Sequence, residues 1–434
     1  MRFAVFSDLY PPLFVGGYEL AAAQVVGELR RRGHEVLLLT AGEYFVQQQD
    51  GFRHARHTDG SPAFVDVGPC VFGSLPRLLR SRPWRFLRGA LATVAARRRY
   101  RRAVADFRPE RVLLFNPLGV IAPVPHDLAE VARHVGAAVE AYVGDDWPAL
   151  WPVVNPLLRP LDRIRRAPRR AVRWAARFLS AALGGWAPDG LPAIDRFLFC
   201  SEAMRRRCAA QTPASAAAEV VPGGVPGADR LPAAPPDHFH GAAPLTLAFV
   251  GQIHERKGLD VLLRAAAASR RAHPVLVIGD DTTDHARACR RLAAGLGLAG
   301  RVRFLGKRDH AETLKLLGGL GHVLVVPSLW EEPFGMVVTE GMALGLPVVA
   351  SDRGGPAEVI RHGDTGFLFE AGSVAALTAT LDRLEEDRSL CARVGGRARR
   401  SVLCDFTIER MVDRLLGEAA PGAVRRPLAA SASG

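Results

Sequence analysis

Two glutamates eight residues apart, Glu332 and Glu340, lie in the stretch PSLWEEPFGMVVTEGMALGLPVVASDRGGPAEVIRHGDTGFLF at residues 327–369. An apolar run, HVLVVPS, ends there in a polar turn with Glu331, Glu332 and Pro333, and helical patterning resumes near Gly335. In an open parallel sheet, ligands bind beyond the carboxyl ends of the strands. Backbone N–H groups of Phe334, Gly335 and Met336 at such a helix start would face an anion, and the helix dipole adds to the attraction. Glu332 before the helix and Glu340 about a turn inside it could then accept hydrogen bonds from hydroxyls on either side of a bound phosphate. A sugar at one end and a ribose at the other would suit them. Spacing alone carries little, because 20 Glu in 434 residues supply about one such pair by chance.

Three further places hold chemistry-bearing residues. Lys257 is the penultimate residue of the segment VGQIHERKG at residues 250–258 and is one of only three lysines, against 54 arginines. Any one of three lysines is unremarkable by itself, and a lysine followed by Gly after a strand gains weight only with the rest of the segment, which also holds Gln252. Gly16 and Gly17, in PPLFVGGYE at residues 11–19, bring backbone close to a phosphate or sugar where a helix begins, or simply make a tight turn. Asp145 and Asp146, in VEAYVGDDWP at residues 139–148, could orient an acceptor hydroxyl or equally cap the next helix. Two other strings are set aside. GLGLAG at residues 295–300 matches a dinucleotide-binding pattern but follows a helix and precedes a strand, the reverse of the required context. His238 and His240 have no ligand partners nearby in sequence, so no metal site is expected.

These residues need strands that end near one another. Short apolar runs at 3–7, 35–40, 111–115, 138–143 and 196–200, and again at 245–250, 275–278, 302–305, 323–326 and 348–350, alternate with helical segments such as 17–32. That rhythm predicts an α/β architecture with parallel sheets. Residues 222–244 hold ten Pro or Gly in 23 positions and predict a linker. A chain of 434 residues accommodates two substantial cores, and 48% hydrophobic residues exclude a wholly disordered protein. No apolar stretch spans a bilayer, the N-terminus lacks a signal-peptide core, and six scattered Cys suggest neither disulfides nor zinc. A cytoplasmic setting is expected. The net charge of +13 suits anionic partners, yet its near-exclusive use of Arg is as well explained by GC-rich coding. Residues 76–109 carry eleven Arg and residues 159–177 eight. The second segment reads either as an interfacial basic helix, peripheral to the inner face of an anionic membrane, or as a solvated helix face. The clusters lack interleaved stacking aromatics, so nucleic acid is not an expected partner.

E-P-F-G-x-x-x-x-E, followed by A-L-G-x-P-V-V-A-S and G-G-x-x-E-x-I, resembles the donor-binding signature of the glycosyltransferase family 4 enzymes. The resemblance spans the C-terminal half and is thinner before it. It implies a GT-B fold: two Rossmann-like domains with parallel sheets facing a central cleft. The implied organisation is an acceptor-side domain at 1–221, a linker at 222–244 and a nucleotide-sugar-binding domain at 245–405. A closing helix at 406–419 would cross back to the first domain, and 420–434 would form a disordered tail. The implied activity is retaining, metal-independent transfer from a nucleotide-diphosphate sugar to an acceptor hydroxyl on a glycan, a lipid-linked or a small molecule. No cofactor is implied. VGQIHERKG is similar to the family segment whose Arg and Lys neutralise the diphosphate; Lys257 stands at the Lys position and Gln252 at the Arg position. The resemblance gives Lys257 the developing charge, Glu332 the donor sugar and Glu340 the ribose. Phe334, Gly335, Met336, Gly16 and Gly17 join the donor site. Many members carry a His where Gly144 stands, which leaves Asp145 as the candidate beside the reacting centre. A non-catalytic nucleotide-sugar-binding or scaffold protein of the same fold is the alternative.

Overall fold

The computed structural model describes residues 1–7, 17–40, 43–48, 51–56, 64–66, 69–71, 100–115, 123–145, 148 and 191–418. It divides into two units, Met1–Cys200 with Met204–Val221, and Ser201–Ala203 with Pro222–Gly434. The first contains β1 (Arg2–Ser7), β2 (Glu35–Thr40), β3 (Glu43–Gln48), β4 (Gly51–Arg56), β5 (Phe64–Asp66), β6 (Pro69–Val71), β7 (Arg111–Phe115), β8 (Ala138–Val143), β9 (Arg196–Phe199) and β10 (Ala217–Val220). Seven of these form a parallel sheet in the order β10-β9-β8-β7-β1-β2-β5. The remaining three form a small sheet, with the β3–β4 pair antiparallel.

The second unit contains β11 (Leu247–Val250), β12 (Val275–Ile278), β13 (Val302–Phe304), β14 (Val323–Val326), β15 (Val348–Ser351) and β16 (Phe367–Phe369), all parallel in the order β13-β12-β11-β14-β15-β16. The central strands VLVI and VLVV are buried at every position. Both faces are therefore covered, which is why they read as continuous rather than alternating apolar runs. The connecting helices begin where the sequence supplies side-chain caps. Thr283 accepts the Ala286 N–H at 3.0 Å, and Asp309 accepts the Glu312 N–H at 2.7 Å. Each such cap contributes about 1 kcal/mol.

The strands expected from sequence form, with small differences at their ends. The one expected from residue 245 starts pairing at Leu247, because the Leu245 N–H donates to the Glu385 carboxylate at 3.0 Å. The short strands β5, β10 and β16 and the small sheet had no clear sequence signal; β10 is AAEV, with no buried residue to mark it. The Pro- and Gly-rich segment at 222–244 packs into the second unit: Phe239 is fully buried, and Val225 bridges to Thr407. The discarded glycine string ends the Asp284–Gly295 helix, where the Leu298 N–H returns to the Ala293 carbonyl at 2.8 Å. The final helix, Ile408–Leu416, belongs to the second unit. The expected tail lies outside the described residues, as does the basic segment at 159–177 and most of that at 76–109. No helix among the described residues is long and apolar enough to cross a membrane.

Candidate functional site

The second sheet reverses its direction of growth once. From β11 the chain adds β12 and β13 on one side, then returns to lay β14 against the other side of β11. The loops leaving β11 and β14 thus start side by side at the carboxyl edge, the crevice where open parallel sheets bind ligands. Lys257 lies in the first loop, in a short turn Glu255–Lys257, and Glu332 lies in the second. Gly258 makes their approach possible. Its φ is +65°, and a Cβ there would stand 2.0 Å from the Pro327 carbonyl oxygen. A backbone hydrogen bond from the Leu329 N–H to the Arg256 carbonyl, 2.8 Å, ties the same loops.

Side chains converge across this crossing. Lys257 Nζ donates to Glu332 Oε1 at 2.6 Å, and Ser328 Oγ donates to the same oxygen at 2.5 Å. No described residue hydrogen-bonds Glu332 Oε2, so the pair holds the carboxylate in place and leaves an acceptor for a ligand hydroxyl. Trp330 backs the cluster. Its ring lies 4.6 Å from the Arg256 guanidinium and 5.9 Å from Lys257 Nζ, so one indole gathers two cations.

The turn carrying Glu332 is pinned from β15. The Gly355 N–H donates to the Glu332 carbonyl at 2.8 Å, and Gly354 has φ +62° with room for no Cβ, which would fall 2.3 Å from that carbonyl oxygen. Gly354→Ala should therefore destabilise the protein by about 2–4 kcal/mol through combined backbone strain and overlap. Gly396→Ala is the control: in the Arg388–Asp405 helix its Cβ would meet only the tip of Arg400, so it should be neutral or stabilising by up to about 1 kcal/mol. Urea unfolding of the two variants tests this, and an unchanged midpoint for Gly354→Ala would count against the pinned turn.

Gly335 precedes the Met336–Ala343 helix, and no side chain caps that helix start. Phe334 is buried with its ring 6.2 Å from Phe406. Glu340, in the same helix, is buried, and its Oε1 meets His310 Nε2 at 2.8 Å. His310 is the first residue of the His310–Leu320 helix. Hydrogen bonding to Glu340 holds its imidazole above the ordinary histidine pKa, outweighing the opposing effect of burial. Gln252 is exposed in the loop after β11.

Thus Lys257, Glu332, the uncapped helix start and Glu340 all lie at one edge of the second unit. Asp145 belongs to the first unit, partly buried two residues beyond β8, and Gly17 starts the Gly17–Arg31 helix of that unit. Gly16 and Asp146 lie outside the described residues. Sequence reasoning missed His310, Ser328 and Trp330. Asp309-x-x-Glu312 marks a helix start beside His310, but nothing local ties that residue to Glu340.

The crevice lies where open parallel sheets bind ligands, and known proteins resemble the chain around it. Residues 234–401 match the family described as glycosyl transferases group 1. The chain is 37% identical over 180 residues to the D-inositol 3-phosphate glycosyltransferase of Salinispora arenicola, covering 39% of this chain and 40% of that one. It is 37% identical over 124 residues to the N-acetyl-alpha-D-glucosaminyl L-malate synthase of Bacillus anthracis, covering 29% and 32%. The matched stretch thus spans about 40% or less of these relatives' length. Among solved structures, Anabaena Alr3699/HepE in complex with UDP and glucose aligns over 96% of this chain and 98% of its own, with TM-score 0.64 and 18% identity. The sucrose-phosphate synthase of Thermosynechococcus elongatus aligns over 96% and 97%, with TM-score 0.64 and 19% identity. At those identities the likeness shows the fold alone: two Rossmann-like parallel-sheet units of GT-B type.

Proposed function

We propose that the chain is a retaining, metal-independent glycosyltransferase that moves a sugar from a nucleotide-diphosphate donor to an acceptor hydroxyl. The observation that carries this reading is the Lys257–Glu332 contact at the strand-order reversal, beside an uncapped helix start with Glu340 further along the same helix. The diphosphate meets the N–H groups at Gly335 and Met336 together with Lys257. Arg256, stacked on Trp330, supplies a second cation where the related family has an Arg and this chain has Gln252. Glu332 holds donor-sugar hydroxyls and Glu340 the ribose. The donor's anomeric C–O bond breaks as the acceptor oxygen attacks the same face, and the leaving phosphate takes the acceptor proton. Charge on that phosphate is greatest in the transition state, where fixed cations and helix N–H groups stabilise it most.

Thermal shifts across UDP-, GDP-, dTDP- and ADP-sugars test the donor site, since a ligand at a hundred times its Kd stabilises by about 2.7 kcal/mol. One nucleotide should stand out. Glu332→Ala and Glu340→Ala should each cost roughly ten- to a hundredfold in rate or affinity, the loss of a charge-assisted hydrogen bond. EDTA should leave turnover intact, and loss reversed by manganese would contradict the mechanism. Gly144 favours a second reading, a donor-binding scaffold, because an imidazole occupies that position in many related enzymes. Selective donor binding without turnover in the wild type would decide for it.

A further inference from the structure

We infer that His310 is a positioning residue of the nucleotide site, holding Glu340 by one oxygen so that the other is presented to the ribose hydroxyls. This deepens the donor-site reading above and rests on it. Glu340 is buried, and its Oε1 contacts His310 Nε2 at 2.8 Å. An ionised carboxylate only accepts, so the imidazole donates. No described residue hydrogen-bonds Oε2. His310 comes from a different helix, His310–Leu320, whose start is fixed by the Asp309 cap. The contact therefore joins two elements whose relative placement is set independently, by β13 leading into one helix and β14 into the other. A carboxylate anchored at one oxygen loses its side-chain rotation before the ligand arrives, and that preorganisation strengthens binding.

Protonation adds a second effect. Glu340 faces the imidazole from its own helix and Asp309 from the cap, and both favour the charged form. His310⁺ offsets a negative charge that would otherwise stand near an incoming diphosphate. The offset is complete below the ordinary histidine pKa and fades as pH rises through the raised one. Above that range the neutral ring still donates a hydrogen bond to Glu340, but the charge is gone.

The test is calorimetric binding of UDP, GDP and ADP, and of their 2′,3′-dideoxy analogues, to wild type, His310→Ala and His310→Gln, at about pH 6 and about pH 8.5. His310→Ala should weaken the preferred ribonucleotide roughly fivefold to tenfold, the range of an ordinary hydrogen bond, because the histidine acts on the ribose only through Glu340. The dideoxy analogue, which has no hydroxyl to meet Glu340, should be affected far less. His310→Gln keeps an N–H donor and should recover most of the affinity at the higher pH, but it should lack the wild type's weakening between the two pH values. Equal losses on ribonucleotide and dideoxy analogue would assign His310 a merely structural role and overturn the inference. Unchanged ribonucleotide affinity in His310→Ala would overturn it too. A wild-type protein that binds none of these three nucleotides, nor dTDP, defeats the donor-site reading itself, and this inference with it.

Discussion

Lys257→Ala should lower kcat on the order of 10³-fold, the largest single effect at the site. Two losses act together. The ammonium that balances charge on the leaving phosphate disappears, and that charge is greatest in the transition state, so kcat falls more than donor affinity. Glu332 also loses its Nζ partner at 2.6 Å and keeps only the Ser328 hydroxyl. A buried carboxylate without its cation is costly. Lys257 is about a quarter exposed, so the stability loss should stay near 1–2 kcal/mol, below the figure for fully buried pairs. Lys257→Arg should restore little. A planar guanidinium cannot take the place of a compact ammonium between Glu332 and the phosphate without moving the loop that Gly258 holds against Pro327. Steady-state rates and thermal unfolding of both variants check this, and near-wild-type kcat in Lys257→Ala would remove the lysine from the mechanism. Because Lys257 and Glu332 share one contact, the double variant Lys257→Ala with Glu332→Ala should lose less than the two single losses combined.

Asp145→Asn should lower kcat on the order of 10²-fold with nucleotide affinity nearly unchanged. The substitution keeps size and removes charge. Asp145 follows β8 at the carboxyl edge of the first sheet, whereas Lys257, Glu332, Gly335 and Glu340 belong to the second unit. An effect confined to kcat therefore separates a role toward the acceptor or the reacting sugar from a role in donor binding. Asp146→Asn, the adjacent acidic position, serves as the comparison variant. Measured kcat for both variants, with nucleotide Kd alongside, decides the matter. Native turnover in Asp145→Asn excludes it from the reacting centre, and a matching loss of nucleotide affinity would place it in the donor site instead.

Much of this was legible in the chain itself. Strands such as Val275–Ile278 and Val323–Val326 are short, β-branched and apolar on both faces, and burial in a parallel sheet demands that pattern. Glu332, the Gly335 helix start and Glu340 lie within nine residues, so their order along one strand–turn–helix unit follows from local sequence. Lys257 was marked by the Gly that follows it after a strand and by the resemblance of the whole segment VGQIHERKG. Helix starts were equally local, since Thr283 and Asp309 cap through their own next turn.

What the tertiary structure decided is which of these local pieces meet. Lys257 reaches Glu332 across 75 residues because the sheet places β14 beside β11 rather than beside β13, and no periodicity encodes that choice. The Gly354–Gly355 pair belongs in sequence to the G-G-x-x-E-x-I pattern, and only β15 carries it against the backbone of Glu332 and Phe334. Sequence marked a helix start beside His310, but its contact with Glu340 exists only because two helices from separate β–α units begin at the same edge. Helices, strands and caps are set by interactions within a few residues, so sequence patterns report them. A site built at a strand-order reversal is set by pairings tens of residues apart, whose partners are selected by packing of the whole sheet.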